Sequence, residues 1–176
     1  MCIRDSVQMT GLPGNPVTDK DGNYSVTVDY NWNGTVMPIK EGYKFTPESR
    51  PYPAVTTDMA NQTYTYSKIT YTITGNTQVD GVTLKGIPGK PVVSTAGGNY
   101  VATVEHGFTG TITPSKEGYE FQPPSIQLTS IMGPQSGQDF MPTLMQRKIS
   151  GTMRSRKGQP VEGVNIVADN NGGQAT

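Results

Sequence analysis

Lys40-Glu41-Gly42-Tyr43-Lys44-Phe45-Thr46-Pro47 returns as Lys116-Glu117-Gly118-Tyr119-Glu120-Phe121-Gln122-Pro123, and this recurrence decides the fold. The offset of 76 residues (40 to 116) holds from Gly22 and Gly98 to Gly75 and Gly151. Working outward, Gly34-Thr35-Val36-Met37-Pro38 matches Gly110-Thr111-Ile112-Thr113-Pro114, and Gln62-Thr63-Tyr64 matches Gln138-Asp139-Phe140. Gly11-Leu12-Pro13-Gly14 matches Gly86-Ile87-Pro88-Gly89 at an offset of 75, so one residue is inserted before Gly98. Self-similarity at a fixed period is the mark of tandem copies of one unit. A third copy starts near Lys148, where Ile149-Ser150-Gly151 repeats Ile73-Thr74-Gly75 and Gly158–Ile166 follows the pattern of 79–84. The organisation expected is a leader at 1–6, a first copy at 7–67, a complete second copy at 68–144 and the start of a third at 145–176.

Nothing before Val7 matches the Ile69–Gly75 strand, and the third copy stops at Thr176 before its Gly-Asn-Tyr turn. The chain is therefore read as a fragment of a longer protein. Met1-Cys2-Ile3-Arg4-Asp5-Ser6 resembles the translated library adapter found at the ends of reading frames in metagenomic assemblies, which makes it a non-native leader.

Composition narrows the function. The 176 residues hold 14 Lys+Arg against 14 Asp+Glu, one His and one Cys, with 33% hydrophobic and 16% charged positions. Balanced charge gives no electrostatic footprint for nucleic acid or for an anionic membrane. His106 and Cys2 alone cannot build a Cys/His zinc site. No apolar run approaches the roughly 18 residues of a membrane span. The 21 Gly and 14 Pro punctuate a chain with 23 Thr and only six Ala, a balance that favours strands over helices.

Strict alternation locates the strands. Tyr24, Val26, Val28 and Tyr30 share one face of Asn23–Tyr30, and Tyr100, Ala102 and Val104 keep the same phase. Ile69, Tyr71 and Ile73 alternate too, and no window carries helical spacing. The second copy is expected to have seven strands, near 69–74, 82–86, 91–94, 99–105, 110–114, 126–131 and 138–142. Short strands separated by Gly/Pro turns predict an all-β fold of tandem small sandwiches. The expected core is Tyr100, Val104, Phe108, Ile112, Tyr119, Phe121, Ile131 and Phe140, with Tyr24, Val28, Trp32, Val36, Tyr43, Phe45, Val55 and Tyr64 as first-copy equivalents.

Gly158-Gln159-Pro160-Val161-Glu162-Gly163-Val164, taken with Thr18-Asp19-x-x-Gly22-Asn23-Tyr24, resembles the carboxypeptidase regulatory-like and Cna-B-type domains. The G-Y-x-F-x-P extension is similar to tandem variants in large secreted or surface bacterial proteins. The resemblance covers nearly all of the chain after Val7 and implies a transthyretin-like or immunoglobulin-like sandwich. It speaks to fold more than to function.

Candidate sites are few. Asp19 and Asp21 stand at the spacing that opens a calcium loop, but Tyr30 occupies the twelfth position, where a bidentate acid belongs. The second copy has Ser94-Thr95-Ala96-Gly97-Gly98-Asn99 there, without an acid, so turn chemistry is the expected role. Cna-B-type domains can carry an isopeptide bond, which directs attention to Lys40-Glu41 and Lys116-Glu117. Adjacent strand residues face opposite ways, so a solvated turn is expected instead. Tyr30, Trp32 and Tyr52 could make a sugar-stacking platform, yet Trp32 aligns with Phe108 and Tyr52 with Leu128, as core positions would. His106 aligns with Tyr30 at a strand end, and no nucleophile, zincin or phosphate-loop motif occurs. Asn23, Asn33 and Asn61 head N-glycosylation sequons. No catalytic, metal or cofactor residue is expected.

These features lead to an expectation of non-catalytic modules acting as spacer, stalk or adhesive surface in an exported or cell-surface protein. Short connectors at Thr65–Lys68 and Thr143–Lys148 would limit hinge motion. The partners expected are neighbouring copies of the repeat, with polysaccharide or cell-surface components beside them, but neither nucleic acid nor a membrane interior. The alternative is a carbohydrate-binding accessory module of a secreted hydrolase. The family name adds a third possibility, a regulatory or folding-assistant domain beside a peptidase.

Overall fold

The computed structural model describes residues 6–166, so Met1–Asp5 of the expected leader, with Cys2, and 167–176 of the third copy lie outside the described residues. The chain forms two compact units, Met1–Leu144 and Met145–Thr176. Among the described residues there is no helix, and the strands pair in small antiparallel sheets of an all-β, sandwich-type fold.

In the first copy, β1 (Gln8–Thr10), β2 (Trp32–Ile39) and β4 (Arg50–Val55) make one sheet, while β3 (Tyr43–Thr46) pairs with β5 (Thr65–Lys68). The second copy opens with β6 (Thr70–Asn76), which pairs with β9 (Asn99–Glu105). Its main sheet runs β12 (Ile126–Ile131), β10 (Phe108–Ser115), β7 (Thr83–Lys85), β8 (Val92–Val93). β11 (Tyr119–Gln122) pairs with β13 (Met141–Leu144), as β3 pairs with β5. The second copy thus has eight strands rather than seven. The additional one is the Tyr119–Gln122 stretch, whose four residues between Gly118 and Pro123 are too few to show a period.

The recurring glycines answer to the packing of this sheet. A Cβ on Gly11 would lie 2.0 Å from the Thr35 carbonyl oxygen, and one on Gly86 would lie 1.9 Å from that of Thr111. Gly34 and Gly110 lie beneath the rings of Trp32 and Phe108, where a Cβ would meet ring carbon at 2.5 Å in each case. Both positions flank a bulge in register, between Trp32 and Gly34 and between Phe108 and Gly110.

Each copy has its own core. Ile73, Leu84, Tyr100, Ala102, Val104, Ile112, Leu128, Ile131 and Phe140 are buried together in the second. Val7, Met9, Leu12, Val36 and Tyr52 are buried together in the first. The residues expected in the core are placed there or packed against its edge, except Val28, Tyr43 and Tyr119, which belong to neither cluster. Tyr43 and Tyr119 instead carry the ammonium groups of Lys40 and Lys116 over their rings, at 5.8 and 5.3 Å.

Two expectations are corrected. Thr65–Lys68 is not a connector but strand β5, hydrogen-bonded to β3 in the register Tyr43 to Lys68 and Phe45 to Tyr66, and Thr143 and Leu144 close β13 in the same way. Asn23–Tyr30, despite its alternation, forms no strand, whereas its second-copy equivalent is the seven-residue β9. The physical reason is the missing partner. A strand is defined by its ladder, and among the described residues no strand pairs with 24–29.

Candidate functional site: an open groove in the first copy

In the second copy β6 fills a slot with two walls. One wall is β9, paired antiparallel from Thr70–Glu105 to Asn76–Asn99. The other is the 135–140 segment. The Gln135 N–H donates to the Thr72 carbonyl at 2.9 Å and the Thr74 N–H donates to the Gln135 carbonyl at 2.8 Å. The N–H groups of Gln138 and Phe140 donate to the carbonyls of Thr74 and Asn76 at 3.1 and 2.9 Å. Ile73 points into the core and is 0% exposed.

Both walls exist in the first copy, as residues 23–29 and 59–64, and both line one groove of about 1110 Å³. Even the brace between walls is kept: the Tyr24 hydroxyl donates to the Gln62 carbonyl at 2.7 Å, as the Tyr100 hydroxyl does to that of Gln138. Among the described residues, the backbone groups of 24–28 have no hydrogen-bond partner. Burial falls position by position. Ala102 is 2% exposed but Val26 is 37% exposed, and Tyr24, Val28 and Tyr64 are half-buried where Tyr100, Val104 and Phe140 are buried.

The floor of the groove is intact and apolar, formed by the buried Met9, Val36 and Tyr52. Burial, reinforced by the nearby Tyr52 and Tyr64, pushes the Tyr24 hydroxyl up to about 12, and Tyr64 shifts the same way. Asp21, Asp29 and Asp58 line the groove, and among the described residues no Lys or Arg does. The second wall is partly bonded within the copy: the Gln62 carbonyl accepts from Tyr24, the Thr63 carbonyl accepts from Arg50, and the Thr63 N–H donates to the Asn61 carbonyl.

The sequence candidates take other roles. The Asp19 carboxylate accepts from the N–H groups of Asp21 and Asn23, both at 2.9 Å, which caps its own turn and, with the Asn23 contact foremost, lowers its pKa. Asp21 is exposed and pairs with Lys20. In the second copy Asp80 serves the same turn, accepting from Gly97 and Gly98. Lys116 donates to the Asp80 carbonyl, so its ammonium ties a loop as well as covering Tyr119. Trp32 packs against Tyr52, with ring centroids 6.2 Å apart, whereas Tyr30 is largely exposed. Asn23, Asn33 and Asn61 are all exposed.

His106 has a place that neither repeat nor motif signalled. It covers Gly42 at the junction of the two copies, and its ring lies 5.9 Å from Tyr71 and 3.4 Å from the Glu41 carboxylate. No other copy carries a histidine to flag the position. No known protein family matches this chain, and no curated protein is significantly similar to it.

Proposed function

We propose that the chain is a run of non-catalytic structural modules that serve as spacer, stalk or adhesive surface in an exported or cell-surface protein. The junction between the first two copies is the observation that carries this reading. A single residue, Ile69, separates β5 from β6. Its N–H donates to the Gly42 carbonyl at 2.8 Å, and its carbonyl accepts from the His106 N–H at 2.9 Å. Lys68 of β5 pairs with Glu105 of β9 at 2.5 Å, and His106 packs on Gly42. A link this short, bonded on both sides, transmits orientation from copy to copy, which is what a spacer needs and a tether does not.

Residual dipolar couplings test this. The two copies should report one alignment tensor, and His106→Ala should make the two tensors diverge by removing the group that covers Gly42. Independent tensors in the unmodified chain would contradict the reading. For the alternative of carbohydrate binding, pull-down on insoluble polysaccharides is decisive: a spacer is not retained, whereas retention that Trp32→Ala abolishes would replace this reading with a binding one.

A further inference from the structure

We propose that the outer edge of β9 is a self-association surface, and that its partner is β9 of a second copy of this chain, paired antiparallel about a two-fold axis at Thr103. The inference does not rest on the spacer reading. It begins from the phase of the β6–β9 ladder. The His106 N–H donates to the Ile69 carbonyl, and the Thr77 N–H donates to the Gly98 carbonyl. Backbone groups alternate in direction along an antiparallel strand, so Tyr100, Ala102 and Val104 turn theirs toward β6 while Val101, Thr103 and Glu105 turn theirs away. Past either end of this stretch the outward groups are taken: the Asn99 carbonyl accepts from the Thr95 N–H, and the Gly107 N–H donates to the Ile131 carbonyl. Between those ends, the N–H and C=O groups of 101, 103 and 105 have no partner among the described residues.

Other edges of the fold are blunted. β4 carries Pro51 and Pro53, β13 carries Pro142, β12 turns at Ser130 with φ +46°, and β1 and β8 are three and two residues long. β9 has none of these devices. Its seven residues keep one unbroken register without proline or glycine, Val101 is 62% exposed, and its one charge, Glu105, is paired with Lys68. A flat edge of this kind is a template for another strand. The open stretch is symmetric about Thr103, which selects a copy of itself. Thr103 meets the partner's Thr103 and Val101 meets the partner's Glu105, so every open group of 101, 103 and 105 gains a bond. The Thr72–Thr103 pair of the β6–β9 ladder then continues as a row of threonines across both copies, a favourable cross-strand pairing. The two Glu105 carboxylates stay apart. Four residues along a strand span about 14 Å, beyond the Debye length of about 8 Å at physiological salt. The same patch is used on both sides, so the contact closes as a dimer.

Sedimentation velocity of the 176-residue chain, carried up to millimolar concentration, tests the proposal. The chain should dimerise as concentration rises, and the amides of 101, 103 and 105 should gain protection from hydrogen exchange as it does. Thr103→Pro removes the donor at the two-fold axis and should abolish the dimer. That N–H faces away from β6, so no bond within the chain is lost. Val101→Glu sets like charges opposite each other twice per dimer and should weaken it by about fivefold, whereas Val101→Lys sets opposite charges there and should strengthen it by a similar factor. Val101 is exposed, so neither change reaches the core. A chain that stays monomeric throughout overturns the proposal. So does a dimer that Thr103→Pro leaves intact, or one that the two Val101 variants fail to shift in opposite directions.

Discussion

The lone Trp32 reports on the first copy alone, because its ring packs on Gly34 and Tyr52 inside that copy's core. Substitutions can therefore be assigned to a copy. Gly86 has φ +89° and no room for a Cβ beside the Thr111 carbonyl, so Gly86→Ala should destabilise the second copy by about 2 kcal/mol or more. In a denaturant titration, the far-ultraviolet signal should shift while the Trp32 transition holds its midpoint. Two phenols also set a pH limit. Tyr100 is pushed up to about 12, by burial first and then by Asp139, and Tyr24 reaches the same value. Because the folded chain binds these protons more tightly than the unfolded chain, the stability they add is complete below the ordinary value of 10.0. It should be lost as pH rises from there to about 12, and Tyr100→Phe should flatten that decline in urea midpoints.

Strands were legible where the repeat and the alternation agreed, and least so where a ladder rather than a pattern decides. The stretches near 69–74, 99–105 and 126–131 lie where β6, β9 and β12 form. Tyr24-Ser25-Val26-Thr27-Val28 alternates as cleanly as β9 does, but alternation records only which face would be buried. Whether a partner is present is not written in the stretch itself. Core membership shows the same limit: Ile73, Leu84 and Ala102 are buried by what faces them. Equivalent positions should then differ in energy. Phe140 is wholly buried beside β6, so Phe140→Ala should cost about 3–5 kcal/mol. Tyr64→Ala, at the half-buried counterpart beside the groove, should cost markedly less by the Trp32 transition. Equal losses would mean that the first copy is closed.

At the scale of the molecule, the described residues form five strands in the first copy and eight in the second. In the second, β6 fills the slot between 99–105 and 135–140; in the first, among the described residues, the backbone of 24–28 has no hydrogen-bond partner. The junction at Ile69 holds these two copies in register. Amide hydrogen exchange tests the asymmetry most directly, at a dilution where the chain sediments as a monomer. The amides of 100–104 that bond to β6 should exchange only through large-scale opening, whereas those of 24–28 should exchange almost as fast as in an unfolded peptide. Equal protection of the two stretches in the monomer would contradict an open groove in the first copy.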